Sequence, residues 1–356
     1  MPRVIGLMSG TSLDGVDAAW LDTDGETITE FGPSCTLAYD AALRNDLRAL
    51  LDLAPTLGSA DPLVLRTAQR LTECHIQAVR SLGRSAELIG FHGQTILHQP
   101  DRRRTWQIGD AGLLAARTGL PVAFDFRSAD VAAGGQGAPL APIYHAALAA
   151  DLAKPVAVLN IGGVSNVTWI GAGGALVAFD TGPGNGPLDD WCMRHIGRPF
   201  DRDGALARSG RVDPMVLARL LADPYFARPA PKSLDRLDFA RALAASGVGG
   251  LTPSDGAATL AAFTVGSVAG SVFPERPVRW LVCGGGRHNA AIMDGLRGAL
   301  GVTVDAVEVV GWDGDALEAQ CFGFLAARVV RGLPLSFPGT TGVASATAGG
   351  QVTPGY

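Results

Sequence analysis

The residues best suited to do chemistry in this chain are small, hydroxylated or acidic, and they gather where short apolar runs end. Residues 8–17 read Met-Ser-Gly-Thr-Ser-Leu-Asp-Gly-Val-Asp. Gly10 and Gly15 permit backbone angles that other residues resist, and successive N–H groups in such a turn form an anion-binding concavity. Ser9, Thr11 and Ser12 add hydroxyl donors beside it. Asp14 and Asp17 would repel a bare phosphate, but they suit one that arrives with a hard cation such as Mg²⁺. A second stretch of the same design, Asn-Ile-Gly-Gly-Val-Ser-Asn, begins at Asn160 and carries Gly162 and Gly163. Asp180 heads Asp-Thr-Gly-Pro-Gly-Asn, where a stiff turn fixes a carboxylate at a strand end. Read alone, it is equally a turn-forming or helix-capping Asp. There is no G-x-x-x-x-G-K-[ST] and no G-x-G-x-x-G after the first strand, which disfavours P-loop NTPases and Rossmann dehydrogenases. Two hairpin-type phosphate sites and an isolated carboxylate suit phosphoryl transfer, where positioning and charge neutralisation do most of the work.

The elements that must hold these residues follow from periodicity. The apolar runs 4–7 and 16–21 make strands around the first Gly turn, and 156–159, 167–170 and 175–179 repeat the pattern around the second. The repeat predicts a duplicated α/β fold with one phosphate loop from each half. Helical spacing covers 42–53, with Leu43, Leu47, Leu50 and Leu51 on one face. Asp61-Pro62 opens a second helix to about Leu82. A short strand, 87–91, runs into His92-Gly93-Gln94-Thr95, and a His and a Gln beside a Gly at a strand end point to a ligand-facing loop. A strand over 122–126 ends where Asp125, Arg127 and Asp130 crowd charge. The Gly-rich stretch 133–139 follows, so a domain boundary is expected at 130/131. The expected lobes are 1–130 with 332–356, and 131–331. A small-residue helix is expected over 256–272, a strand over 278–283 running into Gly284, Gly285 and Gly286, a strand over 302–310 and a helix over 315–331 carrying Glu318. An extended tail follows from Leu333.

Composition limits the alternatives. An apolar share of 47% over 356 residues can fill a large core, and a net charge of −5 without long runs of one sign leaves no nucleic-acid footprint. Five scattered cysteines without a C-x-x-C pair predict reduced thiols and a cytoplasmic protein. A motif within the first ten residues leaves no room for a secretory h-region, and no apolar stretch is long enough to span a bilayer.

Residues 10–17, Gly-Thr-Ser-Leu-Asp-Gly-Val-Asp, resemble the nucleotide-phosphate motif of the anhydro-N-acetylmuramic acid kinases, sugar kinases of the actin and hexokinase superfamily. The resemblance extends through residues 5–17, 90–95, 124–142, 158–169, 179–191, 231–233, 282–289 and 313–325. It implies two ribonuclease H-like (actin-like ATPase) lobes with ATP in the cleft between them, Mg²⁺ with the nucleotide, and an amino-sugar substrate. By this resemblance Gly10, Thr11, Ser12, Leu13, Asp14, Gly15, Val16 and Asp17 hold the nucleotide phosphates, Asp14 and Asp17 reaching the metal through water. Asn160, Gly162 and Gly163 form the second phosphate loop, and Gly284, Gly285 and Gly286 border the adenosine. Asp180 is the general base, Arg127 orients water or the sugar carboxylate, and His92, Gln94 and Asp125 are expected near the sugar. The family also implies a homodimer. The implied reaction opens the 1,6-anhydro bridge with water and phosphorylates O6. The alternatives are an ordinary hexose or amino-sugar kinase and a non-catalytic nucleotide-gated sensor of the same fold.

Overall fold

The computed structural model describes residues 1–10, 12–234 and 239–355, which leaves Thr11 of the first motif outside the described residues. The chain packs as two compact units, Met1–Ala150 with Ala316–Tyr356, and Asp151–Asp315. Among the described residues there are twelve strands: β1 (Arg3–Ser9), β2 (Gly15–Thr23), β3 (Ile28–Ala38), β4 (Leu88–Gln99), β5 (Arg104–Ile108), β6 (Val122–Phe124), β7 (Val156–Ile161), β8 (Val164–Ile170), β9 (Leu176–Pro183), β10 (Arg279–Cys283), β11 (Thr303–Ala306) and β12 (Gln351–Thr353).

The first sheet runs β3-β2-β1-β4-β6-β12, with β5 paired to β4, and the second runs β9-β8-β7-β10-β11. In each, three antiparallel strands joined by hairpins are followed by two parallel ones: β1 to β4 to β6 in the first, β7 to β10 to β11 in the second. This is the expected ribonuclease H-like α/β arrangement, present twice. Parallel neighbours need crossovers. That from β3 to β4 is made by the helices Ala41–Leu53 and Pro62–Ser81, capped by Asp40 on Leu43 N and by Asp61 on Leu63 N. Leu43, Leu47 and Leu50 form the buried face of the first of these helices, as their spacing requires.

The first unit takes in 131–150 and 316–331, which sequence placed in the second lobe. The helix Leu317–Val330 explains this. It lies so close to β1 and β4 that a Cβ on Gly6 would stand 1.8 Å from the Ala319 carbonyl oxygen, and one on Gly90 2.0 Å from that of Phe322. Tyr144, in the helix Pro142–Leu148, is fully buried in the same unit and donates its hydroxyl hydrogen to Gln320 Oε1 at 2.8 Å. In the second unit the helix Pro253–Ala269 is buried on most sides, and Gly256 admits the ring of Trp191 at 2.1 Å from where a Cβ would sit.

Three expectations need correction. The segment 92–95 is inside β4, not in a loop after it; β4 continues to Gln99 because β5 pairs along it, with Gly93 at φ 69° pressed on the Ile108 carbonyl. The strand expected over 302–310 stops at Ala306; Val307–Val310 is a 3₁₀ turn whose Val309 is 65% exposed, so an apolar run there is no guide to burial. The tail is not merely extended: Pro338–Thr341 is a helical turn and β12 pairs antiparallel with β6, extending the first sheet.

Replacing Gly6 by Ala should lower the urea midpoint by the equivalent of about 1–3 kcal/mol or more, because backbone and not a flexible side chain occupies the space. Gly58→Ala, at a site with nothing within 4 Å, is the control and should be near neutral. Equal midpoints for the two variants would refute the close packing of this helix on β1.

Candidate active site

In the first unit the turn between β1 and β2 closes by a bond from Leu13 N–H to the Gly10 carbonyl (3.2 Å). Leu13 takes φ 59°, its side chain is buried, and its carbonyl accepts from Arg44 Nε at 3.1 Å. Val16 is likewise core. Both therefore anchor the turn, while Ser12 and Asp14 remain exposed beside Gly10. Gly15 is required by packing, since a Cβ there would stand 2.4 Å from the Leu37 carbonyl. Asp17 is half-buried and accepts from the Thr36 hydroxyl at 2.6 Å.

Next to this turn, Ser9 donates to Gln94 Oε1 (2.6 Å) and hydrogen-bonds the Tyr39 hydroxyl. The Gln94 amide nitrogen donates to the Thr95 carbonyl at 3.3 Å, so Gln94 is buried with both ends of its amide engaged within the protein. His92 is engaged in the same way. Arg127 Nε donates to His92 Nε2 at 3.1 Å, which requires that nitrogen to be bare; the ring proton is then on Nδ1, bonded to the Gly93 carbonyl at 2.7 Å. Burial, and then the neighbouring guanidinium, hold the His92 pKa well below the usual imidazole range. Arg127 also donates to the Gly137 carbonyl at 2.7 Å, and desolvation lowers its own pKa. Asp125 adopts φ 57° and accepts from the Ser128 hydroxyl and from Gln351 Nε2 (3.0 Å). With His92, Trp106 and Gln107 it lines a cavity of about 230 Å³.

Glu318 stands in the first turn of the helix Leu317–Val330, with its side chain still accessible to water. Desolvation by surrounding protein pushes its carboxyl pKa up, the negative Asp17 adds to that, and Arg127 opposes it. Sequence showed only a helix-start acid here. Among the described residues no three His, Cys, Asp or Glu side chains group to hold a metal. A Mg²⁺ ion that keeps most of its waters and rides on phosphate oxygens needs only one or two carboxylates. The negative field that Asp17 exerts on Glu318 is one such a cation would relieve.

In the second unit the turn 161–164 packs on two further loops. Gly184 N–H and Gly186 N–H both donate to the Gly163 carbonyl (3.0 and 3.1 Å), and Asn185 N–H donates to that of Gly162 (2.7 Å). Gly284, at φ 72°, abuts Asn160: a Cβ there would stand 2.3 Å from Asn160 Oδ1. Asn160 and Gly284 are thus brought into contact, so that the turn 161–164 and the loop Gly284–Gly286 lie side by side. Arg287 braces the last loop, donating to the Gly284 carbonyl (3.0 Å), to Glu308 (2.8 Å) and to Asp315 (2.8 Å).

Asp180 lies inside β9, the edge strand, and not at a strand end as its sequence suggested, because β9 runs on to Pro183 beside a bulge: Ser165 pairs with Gly182 and Asn166 with Asp180, which leaves Thr181 extra. Bulges re-aim side chains. One carboxylate oxygen, Oδ2, accepts from Leu234 N–H at 2.7 Å. Desolvation raises the Asp180 pKa to about 7, against the opposing pull of that N–H. A carboxyl group with a pKa near neutrality is suited to accept a proton there.

A family model described as anhydro-N-acetylmuramic acid kinase matches residues 2–355. Three relatives carry the same description: from Acidiphilium cryptum (62% identical, covering 98% of each chain), Gluconobacter oxydans (58%, covering 96% of this chain and 97% of that one) and Rhodospirillum rubrum (57%, covering 98% and 94%). This chain belongs to the anhydro-N-acetylmuramic acid kinase family. Among solved structures it is similar to a ROK family glucokinase from Streptomyces griseus, at 15% identity and TM-score 0.39 over 92% of this chain and 99% of that one.

For a member of the anhydro-N-acetylmuramic acid kinase family, the geometry adds residues that sequence reading did not single out. Tyr225 and Leu234 touch Asp180 directly; Tyr225 carries no pattern that marks it, and Leu234 only follows Pro231-Lys232-Ser233. The His92 assignment is checked by ¹⁵N-histidine NMR. The ring should show a neutral Nδ1–H tautomer throughout the physiological pH range, and a ring protonated at neutral pH or carrying its proton on Nε2 would refute the Arg127 contact.

Proposed function

We propose that this protein uses ATP and water to convert 1,6-anhydro-N-acetylmuramic acid to N-acetylmuramic acid 6-phosphate and ADP, a step of cell-wall recycling. The observation that carries the reading is Asp180, a desolvated carboxyl group titrating near 7 on a re-aimed strand edge, in a chain matched from end to end by the kinase family model.

Asp180 takes the proton of a water molecule as that water attacks C1. This is the base role of an inverting glycosidase. The C1–O6 bond breaks, and O6 takes the γ-phosphoryl group in place of a proton from a general acid. The turns around Gly10–Asp17 and Gly162–Gly163 hold the nucleotide phosphates, the second with its Gly162 N–H already bonded to the Val164 carbonyl (3.1 Å), and Gly284–Gly286 leave room for the adenosine. Leu13 and Val16 serve these turns from the core. Among the described residues Arg127 donates to two neutral acceptors, His92 Nε2 and the Gly137 carbonyl, which keeps its charge available for the sugar carboxylate or the water. His92 and Gln94 act through Arg127 and Ser9, and Asp125 lines the adjoining cavity. Asp14 and Asp17 would hold, through water, a Mg²⁺ ion bound with ATP, whose charge would offset that of the phosphates. The proposal extends to a homodimer, as the family resemblance implies, acting in the cytoplasm, as the scattered cysteines suggest.

The test is turnover with the anhydro sugar and with open N-acetylmuramic acid as separate acceptors, with products weighed by mass spectrometry. A 6-phosphate carrying one added water is expected from the anhydro sugar. Phosphorylation of the open sugar alone would leave an ordinary sugar kinase. Asp180→Asn should lower kcat by at least ~10²-fold, within the range a general base supplies, with ATP affinity nearly intact. In the unaltered enzyme kcat/KM should rise as the pH passes upward through about 7, where Asp180 loses its proton; a flat profile across that interval would count against Asp180 as the base.

A further inference from the structure

The segment 225–234 holds Asp180 at three atoms. Because β9 is an edge strand, the backbone groups of Asp180 that face away from β8 have no strand to pair with. Asp180 N–H instead donates to the Lys232 carbonyl at 2.9 Å. The Asp180 carbonyl accepts from the Tyr225 hydroxyl at 2.6 Å. Leu234 N–H, two residues beyond Lys232, binds Oδ2. The segment is itself tied shut. Lys232 Nζ donates to the Tyr225 and Phe226 carbonyls (3.2 and 3.3 Å) and lies 4.6 Å from the centroid of the Tyr225 ring. Tyr225 is buried and packs edge-on against Phe226 and Phe239, with centroids 5.8 and 5.9 Å away.

We propose that Tyr225 is a positioning residue for the reaction: its hydroxyl, with the Lys232 turn, fixes the Asp180 backbone so that Leu234 N–H occupies Oδ2 and leaves the other carboxylate oxygen to the water. The proposal rests on Asp180 being the base. Among the described residues no charged side chain contributes to the Asp180 shift; the Lys232 ammonium is turned to the two carbonyls and Arg228 lies over the Tyr225 ring. The segment therefore acts on Asp180 through the Leu234 N–H, a bond that favours the charged carboxylate. Loosening the segment weakens that bond, so the base should demand a higher pH.

The variant Tyr225→Phe keeps the ring and removes only the hydroxyl. Its kcat should fall about tenfold, in keeping with one hydrogen bond at a functional group. The acidic limb of its kcat/KM profile should move to higher pH, with the KM for ATP unchanged. Lys232→Met, which keeps an unbranched stem on the rings and removes the two donors, should move the limb in the same direction; if Tyr225→Phe fails to fold, this variant decides alone. Loss of kcat with the limb in place would make the segment merely structural and overturn the proposal, as would wild-type behaviour of both variants. If Asp180→Asn itself keeps most of its activity, the base assignment fails first, and this proposal falls with it; if Asp180→Asn is inactive while the limb stays fixed in both other variants, only the positioning role is lost.

Discussion

A charge that is to act on a substrate must be taken out of water without being neutralised by its own protein. The structure meets this constraint twice. Asp180 is desolvated, yet among the described residues its carboxylate accepts from a single backbone N–H, that of Leu234, and its pKa rises to about 7. Arg127 is desolvated too, and its guanidinium donates to an imidazole nitrogen and a peptide carbonyl. A direct ion pair at either position would have been cheaper for the fold, because a buried charge is best offset by an opposite one. It would also have cancelled the charge on which the proposed reaction draws. The buried, neutral His92 follows from the same constraint: only an unprotonated imidazole can accept from Arg127.

The two sheets place their glycine-bearing turns in parallel ways. In each, the turn after the first strand carries the small residues, and in each that strand lies beside the parallel strand of the crossover. The surroundings differ. The first turn is followed by Asp14 and Asp17, and the second by Asn166, which pairs with Asp180, and a bulge that leaves the neighbouring Thr181 out of the ladder. Repetition thus supplies the scaffold, and local departures from it supply the chemistry.

Much of the fold was legible because it rests on short-range rules. The Asp40 and Asp61 caps, the Leu43-Leu47-Leu50 face and the Gly-rich turns between apolar runs all announce themselves within a few residues. The unit boundary did not, because the helix Leu317–Val330 belongs with strands some three hundred residues earlier, and the only local sign is glycine at Gly6, Gly90 and Gly323. The site divides likewise. Asp180, Arg127 and the phosphate turns carry motifs. Tyr225 carries none, since what it needs is a hydroxyl at one point in space, 45 residues from its acceptor. His92 and Gln94 were singled out by residue type, but what they do depends on partners, Arg127 and Ser9, that spacing cannot specify.

The order of the chain has a consequence for synthesis. The second unit is one unbroken stretch, Asp151–Asp315, while the first is completed only by Ala316–Tyr356. The helix that lies against Gly6 and Gly90 leaves the ribosome after β1, β2 and β4, which it covers. The amino-terminal sheet must therefore wait, with that face uncovered, while the whole of the second unit is made, reversing the usual order in which the first domain translated is the first to finish folding. A chain released early, before residue 316, would lack the cover of its first unit and not of its second, so the stage at which this protein is most exposed to aggregation or to chaperone capture is set by its topology.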